Sequence, residues 1–400
     1  MKVGFVLPRY GVEVHGGAET AARLLAEHLH ERPGWSVEVF TTGALDAATW
    51  RDELPLGTSE VNGVPVHRFA GTERRTDFRA RTDALLADPT SVPDADAREW
   101  IAAQGPVCPG ALDAAAQSDC DLVTFHPYLY WPTVEGVARL GARAVLHPAT
   151  HDEAPVRLPL FACVFAGAAG LAFWTEEERA LAHRLFPAVV THHQTVVGMG
   201  VDGPPPGTSA AAARASLGLG ERPFLLCLGR VTAMKGTHAL VDLFAAFRDR
   251  HEIPHALVFA GPVADAPPPH ADVVVAGALD DATKWGLLAG ADLLVSPSAY
   301  ESLSLVLLEA WSAGTPVLVN GACDATREQA RRASGGCWYD GFATFEVALE
   351  RLLADAALRD HLAASGRAFL DAHCRWPLVI DRYTAFLQRV ASPRGHASSS

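Results

Sequence analysis

Two cations and two acids in the second half of the chain invite a chemical reading. Arg230 and Lys235 stand in Leu226-Cys-Leu-Gly-Arg-Val-Thr-Ala-Met-Lys-Gly236, and Glu301 and Glu309 in Ser296-Pro-Ser-Ala-Tyr-Glu-Ser-Leu-Ser-Leu-Val-Leu-Leu-Glu-Ala-Trp-Ser-Ala-Gly-Thr-Pro-Val317. An Arg fork and a Lys point charge beside a helix start suit a diphosphate. Taken alone, the two read more simply as solvated loop cations. Glu309 lies in a run of Val306, Leu307, Leu308, Ala310 and Trp311. A carboxylate taken out of water needs hydrogen-bonding partners, and ligand hydroxyls are natural ones; the other reading places Glu309 on the exposed stripe of an amphipathic helix. In the first half, Tyr10-Gly-Val-Glu-Val-His-Gly-Gly-Ala-Glu19 sets Gly16 and Gly17 where a backbone can approach a ligand without a Cβ in the way, although ordinary turns use the same pair. His147-Pro-Ala-Thr-His-Asp-Glu153 offers His147 and His151, either able to bind a ligand hydroxyl. With 17 histidines in the chain, most must be structural.

Three other matches fail on physical grounds. Gly198-Met-Gly-Val-Asp-Gly203 has the dinucleotide spacing, but Pro204-Pro-Pro206 follows where the helix of that motif must begin. His251-Glu-Ile-Pro-His255 has the zinc-protease spacing, but Pro254 breaks the helix that would put both imidazoles on one face. Asp94-Ala-Asp96 and Asp119-Cys-Asp121 resemble metal-holding aspartate pairs, yet lack convincing strand context; no metal is expected.

The elements that must position these residues alternate between short β-rich runs and helical patterns. Residues 2–7, 36–41, 122–125 and 144–147 are expected strands in the first half, and 224–229, 255–260, 273–276, 293–296 and 316–319 in the second. Continuous apolar strands separated by helices imply parallel sheets covered on both faces. The spacing of Ala21, Leu24, Leu25 and Leu29 predicts an amphipathic helix over 17–32. A helix over 304–313, stopped by Gly314, puts Glu301 in a loop at the carboxyl end of a parallel strand, where open α/β sheets bind ligands. Free N–H groups at that helix start suit a phosphate.

The chain has 400 residues, enough for two α/β domains. Residues 1–197 and 207–374 are the expected domains, 198–206 a hinge, 375–391 a final helix that can pack back on the first domain, and 392–400 a disordered tail. A net charge of −13 argues against nucleic acid and against a polybasic membrane dock. Seven scattered cysteines without a CxxC pair suit reduced thiols. The start of the chain reads as a strand, and residues 159–174, the longest uncharged run, as a buried helix leading into a strand. A soluble, cytoplasmic protein is expected.

Read together and in this order, the segments resemble the GT-B glycosyltransferases, and closely their retaining family 4. Glu301…Glu309 with Gly314-Thr-Pro316 behind it is similar to that family's E-x7-E motif. Gly229-Arg230…Lys235-Gly236 resembles its diphosphate loop, Gly16-Gly17-Ala-Glu19 its N-terminal glycine loop, and Gly198–Asp202 the segment before its second domain; Thr175-Glu-Glu-Glu-Arg179 is similar as well. The resemblance implies two Rossmann-like domains facing across a cleft and transfer of a sugar from a nucleotide-sugar donor, with retention, no metal and no cofactor beyond the donor. It implies that Arg230 and Lys235 hold the diphosphate and that Glu309 binds the ribose. Glu301 then meets the transferred sugar, near the backbone N–H groups of Leu303 and Ser304. Gly16 and Gly17 bring the first domain's backbone to the phosphates, and His151, rather than His147, lies near the reacting carbon. One departure is Ser302-Leu303-Ser304, where family members often carry a Gly-Phe-Gly-like triplet. The acceptor, a small molecule or glycan, is not named by the sequence. Residues 73–83, with Arg74, Arg75, Arg79 and Arg81, read as an anionic-acceptor patch or, more simply, a solvated helix face. A nucleotide-sugar epimerase of the same fold and a catalytically silent binding subunit are the competing readings.

Overall fold

Fourteen strands collect into two sheets in a computed structural model that describes residues 1–392. In the first half these are β1 (Lys2–Val6), β2 (Ser36–Thr42), β3 (Gly57–Val61), β4 (Val64–Phe69), β5 (Leu122–Phe125), β6 (Ala144–Leu146), β7 (Gly170–Phe173) and β8 (His193–Val196). They form one sheet in the order β3-β4-β2-β1-β5-β6-β7-β8. Every neighbouring pair is parallel except the β3–β4 hairpin. The second half supplies β9 (Phe224–Leu228), β10 (Ala256–Ala260), β11 (Val273–Gly277), β12 (Leu293–Ser296), β13 (Val317–Asn320) and β14 (Gly336–Tyr339). These form an all-parallel sheet in the order β11-β10-β9-β12-β13-β14.

The central strands are buried along their whole length because helices cover both faces, which is why their sequences are continuous apolar runs. Each sheet has its own core: Val6, Phe125, Phe161 and Phe173 belong to the first, and Leu225, Phe244, Phe259 and Leu318 to the second. The helices Gly17–His30, Leu305–Ala313 and Trp376–Ala391 fall where their apolar spacing puts them. The uncharged run over 159–174 forms helix Leu160–Gly167 and then β7. The second unit is Gly200–Trp376; the first is Met1–Met199 together with the chain from Pro377 on.

The boundary between the units, Met199/Gly200, falls within residues 198–206. Met199 and Val201 are buried, and the Val201 N–H bonds the Cys374 carbonyl. The final helix packs on the first sheet through Tyr383, whose hydroxyl lies 2.9 Å from His147 Nε2, and Arg382 donates to the Val197 carbonyl. The expected tail over 392–400 lies, beyond Ser392, outside the described residues. None of the seven cysteines, all of them among the described residues, is in a disulfide.

Candidate functional site

In each sheet the strand order reverses direction beside the first strand: between β9 and β12 in the second unit, and between β1 and β5 in the first. Loops at such a switch point leave a crevice at the carboxyl ends of the strands. In the second unit the loops after β9 and β12 carry Arg230, Lys235 and Glu301.

The structure brings Lys235 and Glu301 together across 66 residues of chain, Nζ donating to Oε1 at 2.7 Å. The loops meet because Gly236, at φ +78°, lies against Pro297; a Cβ there would stand 2.6 Å from the Pro297 carbonyl oxygen. Helix Thr237–Arg248 begins directly after this glycine, so its unpaired N–H groups emerge beside the ammonium. Arg230 is exposed on the same loop.

The β12 loop is tied down from the far side. Asn320 Nδ2 donates to the Pro297 carbonyl at 2.9 Å, and Gln329 brackets Ser304, accepting from its N–H at 3.5 Å and donating to its carbonyl at 3.3 Å. The Ser304 N–H, expected to face a donor, is therefore already occupied. Among the described residues the Leu303 N–H has no such partner. Glu309 sits in the middle of helix Leu305–Ala313 with 19% of its side chain exposed, so it is neither fully buried nor on an open stripe. Its Oε1 accepts from Lys284 Nζ at 3.0 Å. Burial raises its pKa, and Lys284 pulls the other way.

In the first unit, the Gly16–Gly17 pair starts helix Gly17–His30. Buried Arg9 pairs with Glu19 and donates to the Leu45 carbonyl at 2.7 Å, which fixes the loop that carries these glycines. A Cβ on Gly16 would collide with Glu19, whereas one on Gly17 would meet nothing. His151 is partly exposed, 3.6 Å from Glu153, while His147 is fully buried with its pKa held well below the ordinary value by burial and by His126.

Four residues that the sequence did not single out matter here. His126 follows β5 at the switch point, stacked between Phe5 (5.2 Å) and His147 (4.2 Å). Its position one residue past an apolar strand was the available signal. Glu178, within the noted Thr175–Arg179 segment, is fully buried and accepts from the N–H groups of Trp174 at 2.6 Å and Thr150 at 2.8 Å. It thereby joins the loop bearing His151 to the start of the next helix. Arg9 and Lys284 are single charges in ordinary contexts and carried no sequence signal.

The bland expectations are explained locally. Among residues 73–83, Arg75 and Arg81 pair with Asp77, and Arg74 lies over Phe78 at 4.8 Å, so two of the four arginines meet a carboxylate. Asp119 pairs with Lys2, and Asp121 accepts from the Lys2 N–H, at the amino ends of the strands and away from the switch point. Among the described residues no cluster of metal-ligating side chains is formed. His251 and His255 turn to Glu346 and Asp292 respectively.

Two Rossmann-like units of this kind constitute the GT-B glycosyltransferase fold. Sucrose-phosphate synthase from Thermosynechococcus elongatus is similar over 97% of this chain and 98% of its own, at TM-score 0.69 and 18% identity. Anabaena HepE, solved in complex with UDP-glucose, is similar over 97% and 100%, at TM-score 0.67 and 16% identity. Residues 210–369 match the family "Glycosyl transferases group 1", so the second unit carries a domain of that family. D-inositol 3-phosphate glycosyltransferase of Salinispora arenicola is 33% identical over 180 residues; the match spans 39% of this chain and 39% of that protein. Among the described residues no helix is long and apolar enough to cross a membrane.

Proposed function

We propose that the chain is a retaining, metal-independent glycosyltransferase of the family 4 type, moving a sugar from a nucleoside-diphosphate donor to an acceptor hydroxyl. The observation that carries this reading is the convergence of Lys235 and Glu301 at the carboxyl ends of β9 and β12, beside two helix starts. Cation and helix N–H groups suit the diphosphate; the carboxylate suits sugar hydroxyls. Before the donor arrives, Lys235 and Glu301 neutralise each other. On binding, the ammonium turns to phosphate and the carboxylate to the sugar.

Arg230 joins Lys235 at the diphosphate, Glu309 takes the ribose, and Leu303 offers its N–H near the sugar. Gly16 and Gly17, by the resemblance of their loop, are the first unit's proposed donor-binding residues. The bond from the anomeric carbon to the leaving phosphate oxygen breaks as the acceptor oxygen bonds to that carbon on the same face. The acceptor's proton passes to the departing phosphate oxygen, so the protein needs no general base. Partly exposed His151 is the histidine proposed beside the reacting carbon. His126, at the switch point but enclosed by rings, is the second candidate. The site histidine is the one whose alanine variant loses turnover while keeping its fold.

UDP-glucose, the ligand of HepE, is the first donor to test, with GDP-mannose beside it. The protein is incubated with each, with and without a panel of sugar and polyol acceptors. A transferase releases nucleotide slowly alone and quickly once an acceptor is supplied, with the anomeric configuration kept. Interconversion of the donor sugar without acceptor would establish an epimerase, and binding without any turnover a silent subunit.

A further inference from the structure

The Lys284–Glu309 contact is the second lysine–glutamate pair of the second unit, and the family motif does not account for its lysine. Lys284 projects from helix Asp281–Gly290, which Asp280 caps through the Thr283 N–H. Its ammonium lies 3.0 Å from Glu309 Oε1, 3.1 Å from Asp281 Oδ1 and 5.4 Å from the centre of the Trp285 ring. The two side chains are 24% and 19% exposed, recessed yet reachable. The ammonium uses one carboxylate oxygen; among the described residues nothing hydrogen-bonds Oε2. The oxygen left over is thus held in a fixed direction beside a counter-charge.

We infer that Lys284 is a positioning residue for the nucleotide's ribose: it orients the Glu309 carboxylate and supplies its counter-charge, so that Oε2 accepts from the ribose hydroxyls. This rests on the glycosyltransferase reading of the site and goes beyond it by naming the group on which ribose recognition depends. The physical reason is the cost of an uncompensated charge in a recess. Burial raises the pKa of Glu309 and Lys284 opposes this; burial lowers that of Lys284, but Glu309 and Asp281 outweigh it. Without the ammonium, Glu309 would take up a proton or turn toward water. In either case the ionised acceptor aimed at the ribose is lost. Asp281, which is largely exposed, adds to that repulsion and cannot replace the lysine.

The test is calorimetric, on the full chain, with UDP, 2′-deoxy-UDP and 3′-deoxy-UDP, and the guanosine series in parallel. Wild type should bind at least one deoxy nucleotide about tenfold more weakly than its parent, the scale of one charge-assisted hydrogen bond. In Lys284→Met, binding of the parent nucleotide should fall to the level of the deoxy compound, with no further loss on removing the hydroxyl. Lys284→Arg should restore the discrimination, and Glu309→Gln should reduce it as the methionine variant does. Lys284→Gln serves in place of the methionine variant if that one does not fold. Undiminished discrimination in Lys284→Met or Lys284→Gln overturns the inference, as does its absence in wild type, while nucleotide binding still stands. Wild type that binds neither UDP nor GDP overturns the glycosyltransferase reading itself.

Discussion

Replacing Lys235 with alanine separates what the lysine does for the fold from what it does for a ligand. In the free protein Lys235 contacts Glu301 at 2.7 Å, and the two side chains are 41% and 22% exposed. At that separation the attraction in water is about 1.5 kcal/mol. Side-chain ordering and salt reduce such an exposed pair to about 1 kcal/mol or less. Lys235→Ala should therefore barely move the thermal midpoint. Its effect on a nucleoside diphosphate should be larger, about 1.5–3 kcal/mol for a lost charge-assisted contact, or roughly ten- to over a hundredfold in Kd. Glu301→Gln should act with the opposite sign on the same ligand. It releases the ammonium and removes a negative charge beside the phosphates, so UDP should bind as well as in wild type or better. The same variant should still lose turnover of UDP-glucose, because the sugar has lost its acceptor. Calorimetry with UDP, alongside donor-hydrolysis rates, reads all of these. If Glu301→Gln weakens UDP as much as Lys235→Ala does, the exchange of partners is wrong. If neither variant affects UDP, the phosphates bind elsewhere.

Turnover should persist in excess chelator if, as proposed, the cationic loop takes the place of a metal; loss on chelation with rescue by magnesium or manganese would contradict this. Gly17→Ala should leave the thermal midpoint unchanged, because the added Cβ meets nothing, while donor turnover falls. A variant with full turnover would remove Gly17 from the site. Burial pushes Glu178 up to about 8, against the pull of the Trp174 and Thr150 N–H groups. The folded protein then keeps a proton that the unfolded chain, with a carboxyl near about 4.3, has already released. Stability should thus be full at low pH and fall as pH rises toward about 8, by at most about 1.4 kcal/mol per unit, and Glu178→Gln should lack that slope. Parallel denaturation profiles for the two proteins across that window would contradict the assignment.

Much of the second unit was legible in the chain itself. Leu293–Ser296, the polar turn, the run from Leu305 and the stop at Gly314 are local signals, since an apolar strand, a helix face and a left-handed cap are each written in adjacent residues. The β3–β4 hairpin was legible too, although passed over: Asn62-Gly63, both at positive φ, is the dipeptide a tight hairpin turn requires. Its flanking strand Gly57–Val61 is exposed at an edge, so it lacks the apolar run that marks β1, β5 and β12; β4, β8 and β14 were not expected either.

The amino-acid order thus determined the parallel sheets, the loops at their carboxyl ends, and the residue types on those loops. Which charges meet was decided only by tertiary structure. The partners of Glu301, Glu309 and Glu19 are Lys235, Lys284 and Arg9, and only the last is near its acid in the chain. His147 meets Tyr383 across 236 residues. Local sequence encodes backbone conformation through sterics and periodicity, whereas ion pairing depends on which strands become neighbours. That neighbourhood is set by packing whole helices against whole sheets, an outcome no short window contains.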